Sequence, residues 1–550
     1  MQGAENIWRY DTEKQRVKTI HPLPKSGQPK LRFNWNTPIE ISYNQPDRLY
    51  VGSQFLHVSE DMGESWRTIS EDLTTNNPEK QNQQDSGGLS MDNSGAENHT
   101  TIFTIAESRL DENVIWVGTD DGNVQVTKNG GKTWSNTVKN ISGLPANTWV
   151  YHIEASVHDK ATAYAVFDGH TSGDFAPYVY KTTDYGLTWT SIVTDDIPIF
   201  ARNIQEDYVN PHLLFLGTEK GLFITNNGGE SWSHFTKNMP PVAVHYIELQ
   251  SKTNDLVMGT HGRGVIILDD ISPLREINSD QLSSKLHFFE PTGMLMSDKS
   301  YGFGSSFGAE TQFIGENPTT IAQFKYLLPK RHTFGKMTME IHDLEGNVIS
   351  KLSPGKSKGV NIVRWNYTMK QPKVAKGKTL AFGGFTSPRV LAGTYKVVIN
   401  KGRDKFEQEF ELTNDPTTSV DSAYFKQKND IVMSLYDLTQ DLAYMVYQVD
   451  EMIEGSQGKL KSKLMDLKKT LVITTGDNYV GAAEPELREK LANLYSKIAD
   501  SYSVPSPNEM EYMEVILDLY STAEKEFNRL KKKSKISFEE LKSFDEFLNE

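Results

Sequence analysis

Cysteine is missing from all 550 residues. That excludes a disulfide framework and a thiolate nucleophile, although it leaves the compartment open, since many exported proteins also lack disulfides. Long apolar runs are missing too. No stretch approaches the roughly 20 residues that a membrane-spanning helix needs. Positive charge is in short supply: 58 Lys and Arg stand against 72 Asp and Glu, a formal net charge of −14. No basic stretch is large enough to follow a phosphate backbone, so nucleic acid is not an expected partner. The first residues, Met1-Gln-Gly-Ala-Glu-Asn-Ile-Trp-Arg-Tyr-Asp, have neither the basic nor the apolar segment of a signal peptide. They alternate instead like the middle of a strand.

What the chain has is a repeat. Four segments, Ser59–Trp66, Thr127–Trp134, Thr182–Trp189 and Thr225–Trp232, carry Ser/Thr, Asp/Asn, Gly, Ser/Thr and Trp at the same offsets. Each follows an apolar run such as Leu49-Tyr-Val-Gly or Leu214-Phe-Leu-Gly. The pattern predicts a tight turn between two strands. The carboxylate or amide of Asp61, Asn129, Asp184 and Asn227 accepts backbone donors, and glycine takes the φ > 0 position. Trp66, Trp134, Trp189 and Trp232 supply apolar bodies to wedge between sheets. One role in every copy is what a scaffold requires, so these residues are expected to be structural. A unit of this size cannot bury its apolar face alone, and stacked blades are therefore expected.

Blades are expected at about 37–75, 98–142, 147–195, 199–240 and 242–270, after a stub at the start. The last has the strand pattern without the turn motif. Four full blades and two partial ones suit the later part of a larger ring, with further blades expected upstream. A polar insertion at 76–97 is expected on a binding face or as a solvated loop. The propeller is expected to occupy 1–272, a linker 273–325, a β-sandwich 326–415 and a helical bundle 416–550. The sandwich rests on short strands such as Gly359–Asn366 and Leu391–Ile399. The bundle rests on apolar stripes at helical spacing, for instance Ile431, Leu435, Leu438, Leu442 and Met445.

The four turn segments match the Asp-box (BNR) repeat of sialidase-, sortilin- and xyloglucanase-type β-propellers. The segments near residues 337, 359 and 391 resemble the immunoglobulin-like domain of flagellar hook-cap and other bacterial surface proteins. With Ser86–Glu97, Val117–Val126, Phe167–His170 and Gly259–Gly264, the chain resembles the C-terminal half of a sortilin-like, "glycosyl hydrolase-like" protein of the Bacteroidetes type. That resemblance implies an exported protein, in the periplasm, on the outer membrane or secreted. It implies a peptide or polysaccharide as ligand, by analogy with sortilin-type propellers and xyloglucanases. Its hydrolase label derives from fold similarity, which does not settle function.

The candidate site residues lie in loops at the ends of blade strands, which cluster around one mouth of a channel. Glu97, Asp120 and Asp168 are the candidate catalytic carboxylates, because an inverting glycosidase needs a pair about 6.5–9.5 Å apart. Asp92, His99, Asp121, His170, Asp174, His261 and Arg263 are candidate ligand contacts. The bland alternative for each is a turn cap or an inter-blade hydrogen bond, and Asp121-Gly122 and Asp168-Gly169 are turn formers in their own right. No cofactor is expected, beyond a divalent cation for which Asp168, His170 and Asp174 have suitable ligand chemistry. Trp8, Trp35 and Trp149 are the indoles left to stack on a sugar. The leading expectation is a binding propeller for a peptide or glycan; the alternative is a glycoside hydrolase acting through two carboxylates.

Overall fold

A computed structural model describes residues 4–82, 85, 96–291, 294–296, 321–379, 386–415, 422–475, 485–501, 503–534 and 536–549. It is mainly β with a helical C-terminal region, and it divides into two units, Met1–Asn278 and Ser279–Glu550.

The first unit is a stack of propeller blades. Four antiparallel sheets have four strands each and a fifth has three. Their innermost strands are Ile39–Ile41, Ile102–Glu107, Trp149–Ala155, Ala201–Glu206 and Val244–Gln250. Each packs against the innermost strand of the next blade. Ahead of them, Trp8–Asp11 and Arg16–Thr19 form a two-stranded hairpin.

The repeated turn closes on itself through hydrogen bonds. The hydroxyls of Ser59, Thr127, Thr182 and Thr225 donate to Asp61, Asn129, Asp184 and Asn227 at 2.7, 3.0, 2.8 and 2.6 Å. The same hydroxyls accept from the backbone N–H of Gly63, Gly131, Gly186 and Gly229 at 2.8–3.1 Å. Bonds from the Ser65 hydroxyl and amide hold the Asp61 carboxyl down to about 2. Each of those four glycines also abuts the preceding blade. A methyl group on Gly63, Gly131, Gly186 or Gly229 would come within 2.6–2.9 Å of Ile20, Ile69, Thr137 or Ile192. The adjacent indoles complete the joint: Trp66, Trp134 and Trp232 donate to the carbonyls of Ile20, Ile69 and Ile192 at 2.5, 3.1 and 2.9 Å. Trp189 departs from this pattern. Its Nε1 finds no partner among the described residues, and its ring packs edge-on against Trp116 at 5.9 Å.

Four innermost strands carry a β-bulge at the same place. The register against the second strand shifts between Ile102 and Thr104, Val150 and His152, Ala201 and Asn203, and Val244 and Tyr246. The extra residues are Phe103, Tyr151, Arg202 and His245.

The second unit holds a β-sandwich and a helical bundle. One sheet contains His287–Phe288, Ala322–Leu328 and Gly359–Trp365. The other has five strands around Gly393–Lys401 and Asp404–Asn414. Phe324, Trp365 and Phe410 meet in the shared core. The stretch 273–325, expected as a linker, supplies His287–Phe288 and Met294–Met296 to these sheets. Helices Ser422–Glu454, Gly458–Leu471, Leu487–Asp500 and Pro507–Lys531 bury their apolar stripes against one another. Buried Arg488 fastens bundle to sandwich by donating to the carbonyls of Ala375 and Thr379 at 2.9 and 2.8 Å.

The glycine joint generates a contrast of neighbours. Gly131 (φ +87°) faces the Ile69 carbonyl, whereas Gly130 (φ +68°) meets nothing nearer than Asn113 at 3.4 Å. Gly131→Ala is expected to destabilise the propeller unit by about 3 kcal/mol and Gly130→Ala by about 1 kcal/mol. Urea melts followed by tryptophan fluorescence check the difference.

Candidate functional site

A bulge leaves one side chain outside the strict alternation of a strand and re-aims it. Here four of them come together at one mouth of the blade stack. The Phe103 and Tyr151 rings lie 5.4 Å apart, and the Arg202 guanidinium sits over Tyr151 at 4.7 Å and over Phe200 at 4.9 Å. Arg202 donates to Asp168 at 2.5 Å and lies 3.9 Å from Glu219, which in turn lies 3.7 Å from His245. His245 neighbours His261, with ring centres 5.2 Å apart. Burial, together with Arg202, lowers the tendency of His245 to protonate. The network crosses the second, third, fourth and fifth blades. At its centre Arg202 is 8% exposed, and its Nε has no partner among the described residues.

Several expected site residues join this network, and others are occupied elsewhere. Asp168 accepts three donors: Arg202, the His170 ring at 2.8 Å and the His170 amide at 2.9 Å. His170 stacks on Phe200 at 5.1 Å. Asp120 accepts the Thr101 amide and hydroxyl at 2.8 and 2.6 Å and the Asn34 amide at 3.1 Å, with His99 3.5 Å away. Asp121 accepts from Thr75 and Thr119. Asp174 takes the Ala176 amide and the Tyr178 hydroxyl. Asp120, Asp121 and Asp174 each accept hydrogen bonds from donors within the first unit. Glu97 forms a backbone bridge with Asn34. Arg263 is exposed in the turn after His261. Asp92 lies outside the described residues. No group of three or more His, Asp or Glu able to hold a metal occurs among the described residues, Asp168, His170 and Asp174 included. Of the indoles, Trp8 and Trp35 are exposed, and Trp149 packs between His99 and Phe103.

Farther along the same innermost strands lies a second set that the sequence reading did not single out. Strand registers place Glu40, Ala106, Glu154, Gln205 and Glu248 at one equivalent position, opposite Tyr50, Trp116, Tyr164, Phe215 and Val257. Each follows an isoleucine. Glu40, Glu154 and Glu248, from the first, third and fifth blades, lie within electrostatic reach of one another and of Arg109. Desolvation raises all three carboxyls, Glu40 to about 7, although Glu248 keeps an exposed face, while Arg109 opposes the rise. Gln205 donates to Glu154 at 2.6 Å. Tyr246, 56% exposed, borders Glu248, and Tyr43 lies under Arg109 at 5.1 Å. The recurring Ile-Glu pairs (39–40, 153–154 and 247–248) were the available sequence signal.

The Asp168–Arg202 pair tests which of these contacts hold the mouth together. Removing one partner of a buried ion pair leaves the other uncompensated. Asp168→Ala is expected to destabilise the unit by about 3 kcal/mol, against under about 1 kcal/mol for Asp174→Ala; chemical denaturation measures both.

No protein-family model matches the chain, and no curated protein matches it. Among solved structures it is similar to a GH74 enzyme of Niastella koreensis (14% identity, TM-score 0.24), over 48% of this chain and 49% of that one. It is also similar to YCF48 bound to D1 peptide (14% identity, TM-score 0.28), over 47% and 74%. A third is PorZ, a surface component of the type-IX secretion system of Porphyromonas gingivalis (14% identity, TM-score 0.24), over 72% and 62%. The chain spans about half the length of the GH74 structures it matches, at 49% and 46%. These scores are low, and the blade assignment rests on the sheets, registers and turns described above.

Proposed function

We propose that the first unit is a binding propeller that takes a peptide in its channel, holding a basic side chain of that peptide among Glu40, Glu154 and Glu248. The observation that carries this reading is that three glutamates from three blades, at one equivalent position of the innermost strands, lie within electrostatic reach of one another. Arg109 opposes the rise at all three, and Tyr43 and Tyr246 border the group. A carboxylate crowded by protein stays protonated until a cation arrives to compensate its charge. Aromatic rings beside it favour the same kind of guest. The bulge ring of Phe103, Tyr151, Arg202 and His245 would contact the rest of the peptide at the mouth. The hydrolase alternative loses support because Asp120 and Asp168 are buried and each accepts hydrogen bonds from three protein donors.

Probing an immobilised array of random peptides with the full chain tests the proposal. Enrichment of Lys- and Arg-containing sequences is expected, together with at least a tenfold loss of affinity in Glu40→Gln/Glu154→Gln/Glu248→Gln. Capture without charge preference, or capture unchanged in that variant, rejects it.

The raised carboxyls also set two opposite pH responses. A group raised in the fold binds its proton more tightly there than in the unfolded chain, so its contribution is full below the unfolded value near 4.5. It is lost as pH rises toward 7. The unliganded propeller is therefore expected to melt at lower temperature at pH 8 than at pH 5, with a smaller difference in Glu40→Gln. Binding of a basic peptide is expected to release protons and to tighten over the same interval, which calorimetry in buffers of different ionisation enthalpy detects.

A further inference from the structure

The hairpin at the start of the first unit is half of a blade. In the four complete blades the chain lays down two inner strands and then two outer ones. Ile69 and Ile192 directly follow outermost strands, and each receives the next blade's indole and lies against its glycine. Ile20, directly after Arg16–Thr19, receives Trp66 and lies against Gly63 in the same way. The hairpin therefore occupies the outer half of a blade ahead of the first. Among the described residues its strand Trp8–Asp11 pairs on one side only, with Arg16–Thr19.

Both surfaces that an inner half would cover are bare. Strand registers align Ile41 with Glu107, Ala155, Glu206 and Leu249. Those four are buried against the preceding blade, while Ile41 is 60% exposed and Tyr43 68%. At the far end, Val265 aligns with Leu56, Val124, Val179 and Leu222, all wholly buried, yet it is 65% exposed. Ile267 aligns with Val58, Val126 and Ile224, which are also buried, and is 55% exposed. The fifth blade cannot cover itself. Leu268 stands where the other blades carry the turn hydroxyl, neither the glycine nor the indole follows, and no fourth strand forms. The two bare walls approach each other at the channel, because Glu40 of the first blade and Glu248 of the fifth sense each other's charge.

We propose that this gap is the seat of one further blade, completed by a pair of antiparallel strands of the same repeat. The pair runs into the hairpin from its N-terminal side and adds to the free edge of Trp8–Asp11. It covers Ile41 and Tyr43 on one flank and Val265, Ile267 and Tyr246 on the other, closing a ring of six. The chain itself names this occupant. Inner strands precede outer ones in every complete blade, and the walls carry the residue types that inner strands bury elsewhere. The proposal does not depend on the nature of the channel ligand.

The test grafts a copy of residues 199–220, the inner pair of the fourth blade, through a short Gly/Ser link ahead of Ala4 in the otherwise full chain. Backbone amides of 8–11 and 265–268 are then expected to exchange at least tenfold more slowly, and the melting temperature to rise by about 5 °C. Ile41→Lys with Val265→Lys is expected to cancel both gains in the grafted chain while leaving the ungrafted chain's melting unchanged. The same segment added as a free peptide gives a second reading if the graft prevents folding. Absence of protection in both formats overturns the proposal, as does protection that survives the two lysines. Self-association of the ungrafted chain that protects these amides also overturns it, in favour of a second copy as occupant.

Discussion

The blade stack depends on one close approach: a glycine with no side chain lets the backbone of one turn lie directly against the outer strand of the blade before it. Gly63, Gly131, Gly186 and Gly229 each occupy such a joint, and at three of them the tryptophan three residues on bonds to the preceding blade. The joint is local in sequence and repeated, so the unit grows by nearest-neighbour contacts, as solenoid-like proteins do. The acid or amide within the turn is ordered by serine and threonine hydroxyls a few residues away, which keeps it out of any chemistry in the channel.

Because the scaffold is carried at the rim, the innermost strands are left to vary. Their equivalent positions hold Glu40, Ala106, Glu154, Gln205 and Glu248, a set that no packing rule demands. The mouth above them is built on different terms. There Arg202 is buried between aromatic rings and compensated by Asp168, so that part of the channel is rigid and close to neutral. The two levels divide the work between shape at the mouth and charge below it.

The rim could be read from the residues in order, because the spacing of Thr, Asn, Gly and Trp is a local property with a single turn as its solution. The helical bundle was readable for the same reason: Leu435, Leu442 and Val449 recur at the helical period and are buried. The site was not. Asp120, a candidate catalytic carboxylate in sequence, and Asp121, a candidate ligand contact, accept hydrogen bonds from Thr101, Asn34 and Thr75, which come from distant positions. Arg202 carries no local sequence signal, and its importance comes from Asp168, 34 residues away. Glu40 and Glu248 are separated by most of the propeller sequence, and only ring geometry makes them neighbours.

The four bulges have an evolutionary consequence. An extra residue in a strand exchanges the two faces of everything beyond it, much as a shifted reading frame changes every later codon. Losing Tyr151 would turn Glu154 away from the axis and into the neighbouring sheet, whereas exchanging Glu154 for another side chain would leave the frame intact. Diversification of such a channel is therefore expected to proceed by substitution at constant strand length, with insertions and deletions confined to the loops between blades.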